Sequence, residues 1–480
     1  MERNPLKTMK MPVFSTDEII KATGGSIVGG KSDRSFEGLS TDSRNIGKGS
    51  LFVPLMGERF DGHDYVATAA RRGAAGVLCE RGKEKTIAQL PDYISVIIVD
   101  DTLKALGDMA HFWRRHFSIP VVAVTGSSGK TTTKEMMAAI AGISMNVLKN
   151  KGNFNNLIGL PLTLFDLNSG HEMAIVEMGT NRRGEIKRLT EIAEPDIGVV
   201  TNIGPAHLEG FGSLESVRDE KGDLLLGLKR SGVAVTNNDD EMSDGLAHKW
   251  PGRKITFGMR RDAEVRAKDV VMKGQGAMAF NLSIEETCGM VEIKAPGIHN
   301  VYNALAAAAA SLASGIANDD ICKGLSEFRQ IPGRMSIHRL KNGAYLIDDA
   351  YNANPASLRE ALLTLEELRG GDESIVVFGD MLELGDTSEK LHEEAGMIMA
   401  ETGVKKIFLR GNFSQAVARG LKKGGIGSDH IFFNDSPDEV VDHLRGYLHP
   451  HYWLLVKGSR GMKMEQFVQA VVAGFGEEDT

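Results

Sequence analysis

Residues 121–136, VVAVTGSSGKTTTKEM, constrain the fold of this chain more tightly than any other stretch. Four apolar residues run straight into two glycines, a lysine and a row of hydroxyls, the pattern of a strand that opens onto a phosphate-holding loop and then a helix. A strand of this kind belongs to a parallel sheet with crossover helices, whose ligands sit outside the carboxyl ends of the strands. Gly126 and Gly129 would let backbone N–H groups turn inward, and Lys130 would reach the β- and γ-phosphates. The hydroxyl of Thr131 or Thr132 would serve Mg²⁺, and Thr125, Ser127 and Ser128 complete the candidate loop. The general form of the motif has glycine at position 124, where this chain has valine. The competing reading is a Gly/Ser turn capping a helix with an exposed lysine; the apolar strand in front argues against it.

The rest of the chain repeats the theme. At roughly 100–200 residues per domain, 480 residues make about three domains. From 13 to about 118, short apolar runs (LFVPL, AGVLCE, SVIIVDD) alternate with helical patterns such as TLKALGDMAHFWRRHF. After the phosphate loop, EMAIVEMG and DIGVVTNIG each read as a strand ending in a glycine-containing loop. An alanine-rich helix is expected at 301–314, then a linker, IPGRM, at 331–335. Beyond it AYLIDDAY, SIVVFGD, KIFLRG, HIFFN and WLLVKGS alternate with amphipathic helices in a doubly wound pattern. The expectation is three α/β domains, 1–118, 119–330 and 331–480.

Composition excludes several classes. A net charge of −8 with no basic tract argues against nucleic acid and against an anionic membrane surface. The N-terminus lacks an apolar signal core, and the most apolar later run, VYNALAAAAASLASGIA, is too short to span a bilayer. Cys79, Cys288 and Cys322 are too few and too scattered for a disulfide framework or a metal site. They read as small buried hydrophobes, and the chain as cytoplasmic.

Glu177 and His207 lie at the ends of the two strands that follow the loop. Singly they are a strand-end carboxylate and a loop hydrogen-bonder; beside a nucleotide they fit a second divalent cation, which favours oxygen ligands and tolerates histidine. Here a resemblance enters. VTGSSGKTTTKEM, NKGNFNNLIGLPLT, IVEMGTNRRGEI and NIGPAHLEGFGSLESVRDEKGDLL resemble the central domain of the Mur ligases, ATP-dependent amide-forming enzymes of peptidoglycan precursor synthesis. In that family the loop Gly-x-x-Gly-Lys-Thr is the normal form, so Val124 fits it. STDSRNIGKGSLFVPLMGERFDGHDY is similar to the family's N-terminal UDP-binding module. PGIHNVYNALAAAA, IPGRM, LIDDAYNANPASLREAL, FGDMLELG and LVKGSRGMKME are similar to the branch that adds D-alanyl-D-alanine to a UDP-N-acetylmuramoyl-tripeptide.

The resemblance implies a small UDP-binding α/β domain, a central phosphate-loop ATPase domain and a C-terminal Rossmann-like domain. It implies a tripeptide carboxylate activated by ATP as an acyl phosphate and then captured by the dipeptide amine. Lys130 and two Mg²⁺ would neutralise charge, with Thr131 and Glu177 on one metal and His207 near the other. Lys221, in RDEKGDLL, matches a lysine carbamylated by CO₂ to make a metal-facing anion; in isolation it reads as a solvated helix charge. His299, Asn300 and Asn303 match the adenine segment, and an N-capping role for the asparagine is compatible with that. Arg334 would reach the phosphates, Asp349 the ribose, and Asn352 the reacting groups, with Asp348 structural. Ser40, Asp42, Ser43 and Arg44 would hold the UDP end, Asn155 and Asn156 the substrate between domains, and Lys457 and Ser459 the dipeptide or acyl phosphate. A monomer acting on small molecules is expected.

Two alternatives remain. One is another ligase of the superfamily, diamino-acid-adding or folylpolyglutamate-type; against the first stands NANP after Asp349, where a diamino-acid reader carries Asp-Asn-Pro-Arg. The other is a nucleotide switch, for which the guanine-reading Asn-Lys-x-Asp string is missing from the sequence.

Overall fold

The computed structural model describes residues 13–57, 59–206, 208–285 and 287–478. Each sequence-derived α/β stretch builds its own sheet. A five-stranded sheet lies within residues 26–99, a nine-stranded sheet within 121–293 and a six-stranded sheet within 336–457.

In the first unit, helix Thr102–Arg114 starts where the Asp101 carboxylate accepts the Lys104 N–H at 2.8 Å. Its buried face (Ala105, Leu106, Met109, Ala110) packs on helices Gly159–Leu164 and Glu185–Ala193 of the second unit. One hydrophobic core therefore runs from Phe14 and Phe36 through Leu106 to Leu164 and Ile192. Arg114, only 4% exposed, fixes the connector between the units: Nε donates to Ala193 O at 3.0 Å and Nη1 to Phe117 O at 2.8 Å.

In the second unit, strand Val121–Thr125 lies between Met173–Glu177 and Ile197–Val200, all parallel. The next strand in sequence, Val147–Lys149, lies beyond Met173–Glu177, while the later strands are laid down on the other side. The phosphate-loop strand is thus where strand order reverses, the place where an open α/β sheet leaves a crevice. Sequence reading did not anticipate the antiparallel extension Val265–Lys273, Ala277–Ile284 and Thr287–Ile293. The alanine-rich helix spans Ile298–Ala313, and its small buried residues allow close packing on helix Lys130–Ala141. Gly297 is its N-cap, so the expected capping role of Asn300 is not realised; Asn300 sits inside the first turn.

The third unit is parallel from Tyr345–Asp349 to Ile431–Phe433, with Ser336–Arg339 antiparallel at one edge. Its first helix, Pro355–Arg369, begins with proline after a reciprocal Asn354–Ser357 capping pair. The connector 331–335 is a tight turn, with the Arg334 N–H on Ile331 O at 3.0 Å and the Gly333 N–H on Asp348 Oδ2 at 2.9 Å. Among the described residues no helix is long and apolar enough to cross a membrane. Cys79 is buried as expected, but Cys322 is only half-buried.

Candidate functional site

At the carboxyl end of Val121–Thr125 the chain turns through Gly126–Gly129 into helix Lys130–Ala141. Val124 lies wholly in the sheet core, which leaves a shorter loop than the general motif. Gly129 has φ of +78° and a Cβ there would lie 2.1 Å from Asn303 Oδ1, so only glycine fits. With no side chain capping the helix, its first N–H groups are left for a ligand. The neighbouring loop after Ile197–Val200 braces the turn. Thr201 Oγ1 donates to Ser128 O at 2.6 Å, Asn202 Oδ1 accepts the Ser128 N–H at 3.0 Å, and Ser127 Oγ donates to Gly204 O at 2.8 Å. Thr125 turns its hydroxyl away, to Met178 O at 2.9 Å. Thr132 is buried beside the loop.

Lys130 Nζ donates to Gly126 O at 2.8 Å, folding back over the loop. Burial lowers its pKa, with Glu177 opposing and Arg334 adding to the shift. The Thr131 hydroxyl donates to Glu177 Oε2 at 2.8 Å and accepts from Arg334 Nη2 at 3.2 Å. Register explains this meeting: Glu177 pairs with Val124 on the adjacent strand, so both strands end together. Glu177 is itself held by Asn155, whose Nδ2 donates to Oε1 at 2.7 Å, and by Asn150, whose Oδ1 accepts the Glu177 N–H at 2.7 Å. Asn155 therefore orients the carboxylate, and Asn156 caps helix Gly159–Leu164 by accepting the Gly159 N–H at 2.8 Å; both still line the cleft. A hydroxyl and a carboxylate brought together are hard oxygen donors that suit Mg²⁺. Among the described residues no three His, Cys, Asp or Glu side chains form a metal cluster; His207 lies outside the described residues.

Lys221 contradicts the reading of a solvated helix charge. It is 2% exposed, on the inward face of helix Leu214–Leu226 with Val217 and Leu224. Burial drives its pKa well below the usual lysine value, Lys130 lowers it further and Glu220 opposes. Glu220 is not ion-paired with Lys221; its carboxylate faces the start of helix Glu185–Ala193, accepting the Gly184 N–H at 2.7 Å and the Ile186 N–H at 2.9 Å.

Around the loop opens a cleft of about 960 Å³ shared by the second and third units. His299, Asn300 and Asn303 line it. Asn300 Nδ2 donates to Pro296 O at 2.7 Å and Asn303 Nδ2 to Asn300 Oδ1 at 3.1 Å. His299 Nδ1 is buried without a hydrogen-bond partner, as is Arg334 Nε. Two unpartnered polar atoms at a phosphate-loop cleft fit a nucleotide there. Burial takes the His299 pKa down to about 4, with Asp349 opposing and Lys457 adding. From the third unit come Asp349, Tyr351 and Asn352. Asp349 is ion-paired with Lys457, which also donates to Asn352 O at 3.1 Å. Asp348 is structural, accepting the Gly333 and Ala350 N–H groups, and burial raises its pKa.

Two further sets of expected residues already have partners within the chain. Lys457 is 1% exposed and committed to Asp349, and the Ser459 hydroxyl is spent inside the fold, donating to Ala353 O at 3.1 Å and accepting the Leu382 N–H at 2.9 Å. Ser40, Asp42, Ser43 and Arg44 form a local turn in the first unit and do not line this cleft. Ser40 Oγ accepts the Asp42 N–H at 3.1 Å, Arg44 pairs with Asp42 at 2.9 Å, and Ser43 is buried. Sequence reasoning missed Asn150, Thr201, Asn202 and Glu220 as supports. Each lies within or beside a motif that drew attention for other residues.

A phosphate loop at a strand-order switch, backed by a carboxylate and faced by an arginine from another unit, defines a nucleotide-handling α/β enzyme. The chain belongs to the Mur ligase family. The family's catalytic-domain model matches residues 35–114, its middle-domain model 124–311 and the glutamate ligase domain model 333–460. A UDP-N-acetylmuramoyl-tripeptide–D-alanyl-D-alanine ligase of Bacillus subtilis is 36% identical over 435 residues, 91% of this chain and 93% of that protein. A crystal structure of MurF from Acinetobacter baumannii superposes with a TM-score of 0.87 at 31% identity, covering 97% of this chain and all of that one. MurF from Thermotoga maritima, solved in complex with ADP, gives a TM-score of 0.81 at 29% identity, covering 91% and 97%.

Proposed function

We propose that this chain ligates D-alanyl-D-alanine to a UDP-N-acetylmuramoyl-tripeptide with ATP, as a cytoplasmic monomer. The observation that carries the reading is the meeting of Lys130, Thr131, Glu177 and Arg334 in one cleft with Asp349 and Asn352. Work is divided among units 1–118 for the UDP end, 119–330 for ATP and 331–480 for the dipeptide. The tripeptide's terminal carboxylate attacks the γ-phosphorus and ADP leaves. The dipeptide amine then attacks the acyl carbon, loses a proton, and phosphate departs as the amide forms. Lys130 and Arg334 offset charge at the phosphates, where positioning and electrostatics dominate catalysis. Thr131 and Glu177 would hold Mg²⁺, which would supply further neutralisation, and the resemblance assigns His207 and Lys221 to a second ion. Ser40, Asp42, Ser43 and Arg44 hold the UDP end.

Lys221 is the proposed carbamate. A buried amine driven to its neutral form is a nucleophile for CO₂, and the reaction releases one proton to leave an anion beside Lys130. The expected result with purified protein is ADP and phosphate release only when the UDP-linked tripeptide and D-Ala-D-Ala are both present. Equal turnover with a free diamino acid in place of the dipeptide would overturn the assignment.

A further inference from the structure

We infer that the Arg460 guanidinium binds the C-terminal carboxylate of the incoming dipeptide, and so sets the enzyme's preference for a free peptide acid. The inference rests on the ligase reading above. A dipeptide that reacts through its amine presents a carboxylate at its other end, and a cleft that accepts it needs a cation with donors to spare. Among the described residues, the lysines and arginines lining the cleft are Lys130, Arg260, Arg334, Lys457 and Arg460. Lys130 and Arg334 are turned to the phosphate loop and Lys457 is consumed by Asp349. Arg260 belongs to the second unit, beside Tyr302 and Glu360.

Arg460 differs from all of these. Its side chain is 58% exposed and belongs to the third unit. Nη1 is ion-paired with Glu465 Oε1 at 3.4 Å on one edge of the guanidinium, while Nε and Nη2 have no partner among the described residues. That open edge is the planar fork that matches a carboxylate with two parallel hydrogen bonds. Its backbone N–H is 3.4 Å from Asn352 Oδ1, and its guanidinium carbon lies 5.4 Å from the Tyr351 ring centre.

Both cations flank the same ring. Arg334 lies 4.0 Å from the same ring centre, so the two guanidinium carbons are under about 10 Å apart, against roughly 7 Å for two extended residues. With Arg334 at the phosphate end and Arg460 at the carboxylate end, a dipeptide would lie beside Tyr351 with its amine toward the acyl group.

Initial-rate kinetics of the whole enzyme with D-Ala-D-Ala and with its C-terminal amide test this. Wild type is expected to show a KM about 10- to 100-fold higher for the amide, the loss of charge-assisted hydrogen bonds. Arg460→Ala should show that higher KM for both compounds, with KM for ATP and thermal midpoint unchanged, and Arg460→Lys should fall between. The inference is overturned if Arg460→Ala still separates acid from amide as wild type does, if wild type itself does not separate them, or if the defect falls on ATP. Should Arg460→Ala fail to fold, Arg460→Lys and Arg460→Gln carry the same comparison. Wild type that ignores D-Ala-D-Ala altogether would instead bring down the ligase assignment, and this inference with it.

Discussion

Lys221 is a buried amine whose burial is costly to the fold. Because its pKa in the folded chain is far below that of the unfolded chain, the unfolded state binds one more proton from the folded pKa up to about 10.4. Stability from this group therefore rises with pH across that window and is lowest at and below the folded pKa, where the fold must hold the ammonium itself. In CO₂-free buffer at pH 7, Lys221→Met should be about 1–3 kcal/mol more stable than wild type in urea melts. The gain should shrink as pH approaches 10. Ligase activity of the same variant should be nearly lost, and Lys221→Ala should regain part of it in added acetate. A destabilised Lys221→Met would show that the amine has a partner the fold depends on.

Among the elements, the strand–loop–helix at 121–141 is held from two sides, by Asn303 of the alanine-rich helix and by Thr201–Gly204. Gly129→Ala meets both obstacles at once, a positive φ and the Asn303 side chain. A left-handed alanine costs about 1–2 kcal/mol, so ADP affinity by calorimetry should fall about tenfold or more. Asn303→Gly in the same chain should relieve the clash but leave the backbone penalty. Unchanged ADP binding in Gly129→Ala would mean that the loop can be rebuilt at no loss.

This element was legible in the sequence because strand, glycines and lysine are contiguous. So was Glu177, since a strand-end carboxylate next to a phosphate loop needs only the parallel register to arrive there. Roles that depend on which way a side chain turns were not legible. Asn155 and Asn156 sit side by side in NKGNFNN, yet one holds Glu177 and the other caps a helix. Lys457 and Arg460 share the segment VKGSRG, yet two intervening residues separate a buried ion pair from an exposed fork. The antiparallel extension at 265–293 escaped because its strands have alternating exposed faces and carry no motif.

On the scale of the whole molecule, the three units are not equally joined. The first and second share a hydrophobic core, with Phe14 stacked edge-on to Phe165 at 5.8 Å and Arg114 bonded across the connector. The third has cores of its own and meets the second across the cleft. Ligand groups come from both sides of that cleft, so closure should draw them together. Small-angle scattering is expected to show a smaller radius of gyration with a non-hydrolysable ATP analogue and the UDP-linked substrate together. An unchanged curve would leave the apo arrangement as the working one.

The shared core has a mechanical consequence. If the third unit closes on the other two, the five-residue turn 331–335, which also carries Arg334, is the covalent pivot. The residue that touches the phosphate loop is thus mounted on the axle itself, where rotation moves it least. On closure it would stay engaged with Thr131 while Arg460 travels the longer arc.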